Sequence, residues 1–130
     1  MDVFVYGTLT ERKTVEDVVS SYEFVGDAVL EGLKVVSGNY LTLGPAPGSE
    51  VEGKLLRTAD IRSLDAYEGV ESGLYVRVDV PGPDRDIALY VGDPERLAVS
   101  EPVEWPGSGS FEARVTRYLQ EKPIQVRPRE

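Results

Sequence analysis

Two reactive side chains are missing from this chain of 130 residues, which contains no cysteine and no histidine. Without cysteine there is no disulfide, no thiolate nucleophile and no thiolate-held zinc. Without histidine there is no serine–histidine–aspartate triad and no imidazole metal ligand. Any proton transfer must use aspartate, glutamate, lysine or tyrosine, so a carboxylate is the leading candidate. We expect neither a metal nor a cofactor.

Long apolar runs and excess positive charge are also lacking. No run approaches the ~20 apolar residues that cross a bilayer, and no signal peptide precedes the first strand, so we expect a cytoplasmic protein without a membrane partner. Acidic residues outnumber basic ones by 23 to 14, which gives a net charge of −9 and disfavours a nucleic-acid partner. Such acidity is also compatible with a high-salt host. The sequence leaves the oligomeric state open.

The length and the hydrophobic content of 41% favour one domain with its own core. We place this domain at residues 1–122 and interpret residues 123–130 as a solvated tail, because three cations lie among prolines there. Short strands interspersed with helices predict an α+β fold. Strands interrupted by glycine indicate strong bending, so we expect a small, mixed, mostly antiparallel β-barrel with flanking short helices.

Apolar periodicity and turn residues place the elements along the chain. Strands are predicted at residues 2–6, 51–57, 74–80 and 87–91, and one or two more at 24–38, broken by Gly26 and Gly32. Helices are predicted at residues 15–22 after a Thr14 cap, at 59–68 after a Thr58 cap and before Gly69, and at 111–122 after a Ser110 cap. The segment "LGPAPGSE", residues 43–50, is predicted to be a loop.

The predicted helix at 59–68 directs a carboxylate toward its apolar side. At 100° per residue, Ile61 and Leu64 define that side and Glu68 falls between them. Burial and the partial negative charge at a helix C-terminus both raise a carboxyl pKa, and a carboxyl near neutrality serves as general base and general acid. The alternative, which periodicity alone favours, is a structural ion pair between Glu68 and Arg77.

The first strand ends in the turn Tyr6-Gly7-Thr8-Leu9. Gly7 permits a sharp turn and a close approach by a ligand. Successive free N–H groups in such a turn suit a carboxylate or another anion. A plain turn after an edge strand explains the pattern equally well.

Three segments occur in the order "VFVYGTL", "LDAYEG" with "GLYVRVDV", and "ALYVGDP". Together they resemble the γ-glutamylcyclotransferase-like family, which includes the AIG2-like and γ-glutamylamine cyclotransferase proteins. The resemblance covers residues 2–97, favours the AIG2-like branch and implies a small mixed β-barrel. It also implies an enzyme that cyclises a γ-glutamyl amine or γ-glutamyl amino acid to 5-oxoproline without a cofactor.

The same resemblance assigns roles to residues. It implies that Glu68 is the catalytic acid and base and that the turn at residues 6–9 binds the amino-acid end of the substrate. Tyr75 and Tyr90 are secondary candidates for substrate contact, since tyrosines on strands are more often core residues. Arg77 is a candidate for a supporting role. Two other functions stay open: a non-catalytic module that binds a carboxylated metabolite, and an acyltransferase that passes the γ-glutamyl group to another amine.

Overall fold

The computed structural model describes residues 1–129. Its helices are α1 (Arg12–Val18), α2 (Ile61–Glu68) and α3 (Phe111–Glu121), with one 3₁₀ turn at Thr8–Thr10. Its strands are β1 (Asp2–Val5), β2 (Glu23–Val36), β3 (Thr42–Arg57), β4 (Tyr75–Pro81), β5 (Asp86–Gly92) and β6 (Gln125–Pro128). None of the helices in these residues is long and apolar enough to cross a membrane.

The six strands form one curled sheet in the order β4-β5-β1-β3-β2-β6. β1 and β5 run parallel, and the other neighbouring pairs are antiparallel. The curl brings the edge strands β4 and β6 toward each other, so the sheet forms a half-barrel. The predicted α+β class, with a mixed and mostly antiparallel sheet and flanking helices, is confirmed.

Both faces of the central strands are buried, which explains their continuous apolar runs. Side chains alternate between two cores along each strand. Phe4 and Leu89 point into the core that α3 fills with Val115. Val3 points into the opposite core, which α2 covers with Leu64. The second core therefore supports the helix that carries the candidate carboxylate.

The long hairpin of β2 and β3 contains the two predicted interruptions. Its register shifts beside Gly26 and again at Gly32. At the second shift, residues 46–49 of β3 have no partner on β2. The loop predicted at residues 43–50 is therefore wrong at both ends, which lie within the ladder. Because Pro47 falls among the unpaired residues, its missing N–H removes no ladder hydrogen bond.

The helix starts test the capping predictions. The cap at Ser110 is confirmed, since its hydroxyl accepts a hydrogen bond from the Ala113 amide at 3.1 Å. The Thr14 cap is wrong, because the 3₁₀ turn leads almost directly into α1 and the helix already begins at Arg12. α1 then ends at Val18, where Val19 takes an extended conformation.

α2 begins later and ends where predicted. Thr58 is not its cap residue: its hydroxyl accepts a hydrogen bond from the Asp60 amide at 3.0 Å and donates one to the Ser21 carbonyl at 2.7 Å. The helix therefore begins at Ile61, after Asp60. Gly69 ends it in the left-handed region, at φ 71° and ψ 37°, which glycine adopts without strain.

The predicted solvated tail at residues 123–130 is wrong for its described part, since β6 pairs antiparallel with β2. Ile124 and Val126 are buried in the core that α3 fills. The tail was predicted from its cations and prolines, and the alternation of Ile124 and Val126, which is typical of a strand, was not used. Pro128 sits at the end of an edge strand, where a missing N–H is tolerated. The last residue of the segment lies outside the described residues.

We expect Ile124→Ala to lower the free energy of unfolding by about 2–4 kcal/mol, because it removes buried methyl groups and leaves a cavity. Urea denaturation followed by circular dichroism measures this change. Gln125→Ala is the matched control, because it removes only an exposed hydrogen bond to Glu31 and should cost less than about 0.5 kcal/mol. Equally small losses in both variants would show that the C-terminal strand lies outside the cooperative core.

Candidate active site

A cavity of about 610 Å³ opens where β1 ends. Its walls come from the 3₁₀ turn, the last turn of α2, the residues just before β3, and strands β4 and β5. The lining residues are Phe4, Val5, Tyr6, Gly7, Thr8, Leu9, Glu11, Tyr40, Leu41, Tyr67, Glu68, Gly69, Leu74, Tyr75 and Tyr90. The cavity thus brings together every site residue named from the sequence except Arg77.

The turn after β1 lines this cavity and contains amides that make no hydrogen bond. The Gly7 carbonyl accepts hydrogen bonds from the Thr10 amide at 3.0 Å and the Thr10 hydroxyl at 2.7 Å, which closes the turn. Within residues 1–129, the amides of Gly7, Thr8 and Leu9 donate no hydrogen bond. Such neighbouring free N–H groups suit an anionic oxygen.

Glu68 lines the cavity as the last residue of α2. Its carboxylate has neither a hydrogen-bond partner nor an ion-pair partner within residues 1–129. Burial raises the pKa of Glu68 to about 7, because the charged form loses water and gains no compensating group. A carboxyl in this state takes up and releases protons near neutral pH.

Arg77 pairs with Asp65, so the alternative of a Glu68–Arg77 ion pair is wrong. The guanidinium binds both carboxylate oxygens of Asp65, with Nε 2.9 Å from Oδ1 and Nη2 3.3 Å from Oδ2. The Tyr90 hydroxyl donates to the same Oδ1 at 2.7 Å. Asp65 therefore ties α2 to β4 and β5 and leaves Glu68, three residues later, without a cation.

Three tyrosines of the cavity, the partly buried Tyr6 and the buried Tyr75 and Tyr90, all donate hydrogen bonds within the protein. Tyr6 donates to the Tyr90 carbonyl at 2.8 Å, Tyr75 to the Leu41 carbonyl at 2.5 Å, and Tyr90 to Asp65. Burial raises the pKa of each phenol well above its usual range. Each phenol is therefore neutral at pH 7 and offers its remaining lone pairs to a donor.

The mouth of the cavity contains residues that sequence reasoning did not single out. Glu11, Tyr40 and Tyr67 are exposed there. The Tyr67 and Thr8 hydroxyls lie 2.8 Å apart and form a hydrogen bond between α2 and the 3₁₀ turn. Tyr67 precedes Glu68 in "LDAYEG", so the motif could have identified it as a site residue. Nothing local in the sequence marks Tyr40 as a cavity residue.

From its proline-rich segment, Trp105 is predicted to pack on the outside of the barrel, with covering of the pocket mouth as the alternative. The indole is buried in the core that α3 fills, and its ring meets Tyr118 edge to face at 5.4 Å between centroids. It does not line the cavity. Both interpretations are wrong, because the loop that carries Trp105 folds inward and fills the core.

A family model described as gamma-glutamyl cyclotransferase, AIG2-like, matches residues 3–108. The chain belongs to this family. The resemblance drawn from the sequence motifs is therefore confirmed. No curated protein sequence matches this AIG2-like chain.

Solved structures share the fold of this AIG2-like chain. A protein named gamma-glutamyl cyclotransferase has a TM-score of 0.65 at 20% identity, covering 94% of this chain and 99% of that one. An uncharacterized human protein has a TM-score of 0.65 at 21% identity, covering 89% and 97%. An uncharacterized protein from Pyrococcus horikoshii has a TM-score of 0.57 at 18% identity, covering 91% and 96%. At these identities the likeness concerns the fold alone.

We expect Glu68→Gln to stabilise this AIG2-like chain at pH 8 by about 2–3 kcal/mol, because the parent then holds an unpartnered charge in a half-buried site. As the pH falls through about 7, the folded parent takes up the proton, and the difference in unfolding free energy between variant and parent, here called the gap, narrows. Below about 4.5, the ordinary pKa, the carboxyl is protonated in both folded and unfolded states and the gap closes. Urea denaturation across this pH range measures it.

The matched control is Glu71→Gln, which neutralises an exposed carboxylate just beyond the same helix. Its free energy of unfolding should stay within about 0.5 kcal/mol of the parent at each pH. A gap for Glu68→Gln that is independent of pH would contradict the raised pKa.

Proposed function

We propose that this protein cyclises a γ-glutamyl amine or γ-glutamyl amino acid to 5-oxoproline and releases the free amine. One observation carries the proposal: a carboxyl with a pKa near 7 and no partner, Glu68, shares a cavity with the free amides of the turn at residues 7–9. Membership of the gamma-glutamyl cyclotransferase, AIG2-like, family supports this chemistry. In this proposal the protein is an acyltransferase whose acceptor is the substrate's own amine.

The reaction moves two protons between nitrogens and makes one new bond. The α-ammonium of the substrate gives a proton to Glu68, and the resulting amine attacks the γ-carbonyl carbon to form the five-membered ring. The amide bond to the leaving nitrogen then breaks, and Glu68 returns the proton to that nitrogen. The second proton of the attacking nitrogen follows, so the released amine leaves as an ammonium ion. Protons and electrons balance without a co-reactant.

Substrate folding supplies much of the rate in this scheme. Nucleophile and carbonyl belong to one molecule, so a cavity that holds the glutamyl chain bent converts binding into favourable orientation. The amides of Gly7, Thr8 and Leu9 would hold the α-carboxylate, because they are free and adjacent. The hydroxyls of Tyr6, Tyr75 and Tyr90 already donate hydrogen bonds within the protein, so their oxygens would accept from the α-ammonium.

We expect Glu68→Gln to lower kcat by about 10²–10⁴-fold, because the amide keeps the shape of the side chain and cannot carry a proton. The measurement is 5-oxoproline release from a panel of γ-glutamyl amines and γ-glutamyl amino acids. Glu71→Gln is again the control and should keep the parent rate. Parental turnover by Glu68→Gln would remove Glu68 from the mechanism.

The same panel separates the two other functions. A binding module would show saturable binding of panel members without any product. An acyltransferase with an external acceptor would give a new γ-glutamyl amide and no 5-oxoproline. Either result would contradict the proposed cyclisation.

We expect kcat/KM to rise with pH and to level off above about pH 7, because Glu68 must be ionised in the free enzyme to accept the first proton. A pH–rate profile from pH 5 to 9 measures this limb. The residual activity of Glu68→Gln should not show this rise of kcat/KM between pH 5 and 7. A limb that persists unchanged in the variant would assign the titration to another group.

A further inference from the structure

A segment that lies outside the cavity connects two of its walls. We call residues 93–100, which follow β5, the support segment, and residues 37–41, which join β2 to β3, the rim loop. The rim loop supplies Tyr40 and Leu41 to the cavity, whereas no residue of the support segment lines it. Tyr40 and Leu41 are both exposed, so the backbone of the rim loop, rather than burial of these side chains, fixes where they lie.

The support segment holds the start of the rim loop through backbone contacts. The Asn39 amide donates to the Leu97 carbonyl at 2.8 Å, and the Ser100 amide donates to the Ser37 carbonyl at 2.9 Å. Gly38 lies between these two bonds, and a Cβ there would be only 2.5 Å from the Leu97 carbonyl oxygen. Because Gly38 has no positive φ, lack of space rather than backbone conformation requires a glycine at this point.

The other end of the rim loop is held by β5. The hydroxyl of the buried Thr42 accepts a hydrogen bond from the Gly92 amide at 2.7 Å and donates one to the Gly92 carbonyl at 3.3 Å. Between the two ends, the Leu41 side chain lies 3.8 Å from the position of a Cβ built on Gly7. The anchored rim loop therefore packs against the turn that contains the free amides.

The support segment also holds the wall that follows α2. The Asp93 amide donates to the Leu74 carbonyl at 2.9 Å, and the Arg96 guanidinium donates to the Ser72 carbonyl. Gly69 and Leu74 both line the cavity, directly after Glu68 in the chain. One segment thus contacts the rim loop and the loop after α2.

The backbone of the support segment contains an unusual conformation. Among residues 1–129, Ala98 is the one non-glycine residue with a positive φ, at 50°. The Val99 amide donates to the Pro94 carbonyl at 3.3 Å and the Ala98 amide to the Glu95 carbonyl at 3.2 Å, a pattern whose left-handed position is usually a glycine. Such a conformation persists where surrounding contacts enforce it, and it is common beside functional sites.

We propose that the support segment is a positioning element that sets the separation of the two cavity walls and thereby the affinity for the substrate. This inference rests on the proposed cyclisation. Leu97, through its carbonyl, and Ala98 position Tyr40 and Leu41 without touching the substrate. Glu68 is held separately, by the ion pair that fixes α2, so the support segment takes no part in proton transfer.

Two variants displace the contact from opposite sides. Gly38→Ala pushes the rim loop away, because the new Cβ would meet backbone atoms of Leu97 and Val99 that no side-chain rotation can move. Ala98→Val disturbs the support segment, because a β-branched residue strongly disfavours a positive φ. Position 98 is exposed, so the second variant leaves the core unchanged and should fold, which circular dichroism checks.

We expect each variant to raise KM about five- to tenfold for the probes γ-glutamylpropylamide and γ-glutamylalanine, since a misplacement of about 1 Å costs up to ~10²-fold. The value of kcat should stay within about twofold of the parent, because binding shared by the ground and transition states affects KM alone. The rise of kcat/KM toward pH 7 should also remain, which distinguishes misplaced walls from a damaged Glu68.

The matched controls make the same substitutions where they meet nothing. Gly26→Ala adds a Cβ to β2 at a position with no atom within 4 Å. Ala113→Val adds the same two methyl groups at an exposed position of α3 that has no positive φ. Both controls should keep the parental KM and kcat.

Amide hydrogen exchange tests the connection of the walls without a substrate. Ala98→Val should speed exchange at least about fivefold in both residues 37–43 and residues 69–74, because local opening of the support segment releases both walls. Gly26→Ala and Ala113→Val should leave exchange in these two ranges unchanged. Faster exchange confined to residues 93–100 would show that the walls are independent and would overturn the proposal.

The outcomes separate this proposal from the proposed cyclisation. If the parent gives no 5-oxoproline from either probe, the cyclisation fails and the role in substrate affinity fails with it. If product forms and the folded variants Gly38→Ala and Ala98→Val keep the parental KM, the cyclisation stands and the role of the support segment is overturned. A fall in kcat at unchanged KM overturns it as well.

Discussion

The ion pair between Asp65 and Arg77 is the constraint on which the candidate site depends. It ties the last turn of α2 to β4, and the Tyr90 hydroxyl ties the same carboxylate to β5. Because Asp65 occupies the available cation, Glu68 faces the cavity alone. Two carboxylates three residues apart thus have opposite surroundings, one paired and the other desolvated. Such a difference in surroundings allows one carboxyl to serve as a structural ion-pair partner and the other to carry a proton.

The position of Glu68 could be predicted from the sequence, whereas the partner of Arg77 and the position of Tyr40 could not. Helical periodicity and Gly69 were enough to place Glu68 on the apolar side of α2. Periodicity could not decide whether Asp65 or Glu68 takes Arg77, since residues three apart are separated by only about 60° around a helix and the rotation of α2 on the sheet is set by packing. Tyr40 was unreachable for a related reason: its position depends on how the bulged hairpin of β2 and β3 is registered.

The elements of the fold also divide into those that local sequence patterns predict and those that tertiary pairing decides. Elements with strong apolar patterns, such as β5 and α3, were predicted with nearly correct bounds. The missed strand segments fall at residues 43–50, which are rich in proline and glycine, and at residues 123–130, which are rich in proline and charge. There, pairing with β2 overrides local preference, because an irregular edge tolerates proline and a single buried pair such as Ile124 and Val126 suffices to anchor a short strand.

The hydrogen bonds around the cavity join residues that are far apart along the chain. Thr8 and Tyr67 are separated by 59 positions, Leu41 and Tyr75 by 34, and Tyr6 and Tyr90 by 84. Closing such long loops costs entropy that is recovered only when the surrounding sheet is complete. The cavity is therefore a product of the finished fold: a partly folded chain, even one with α2 formed, has no rim and no enclosed carboxyl.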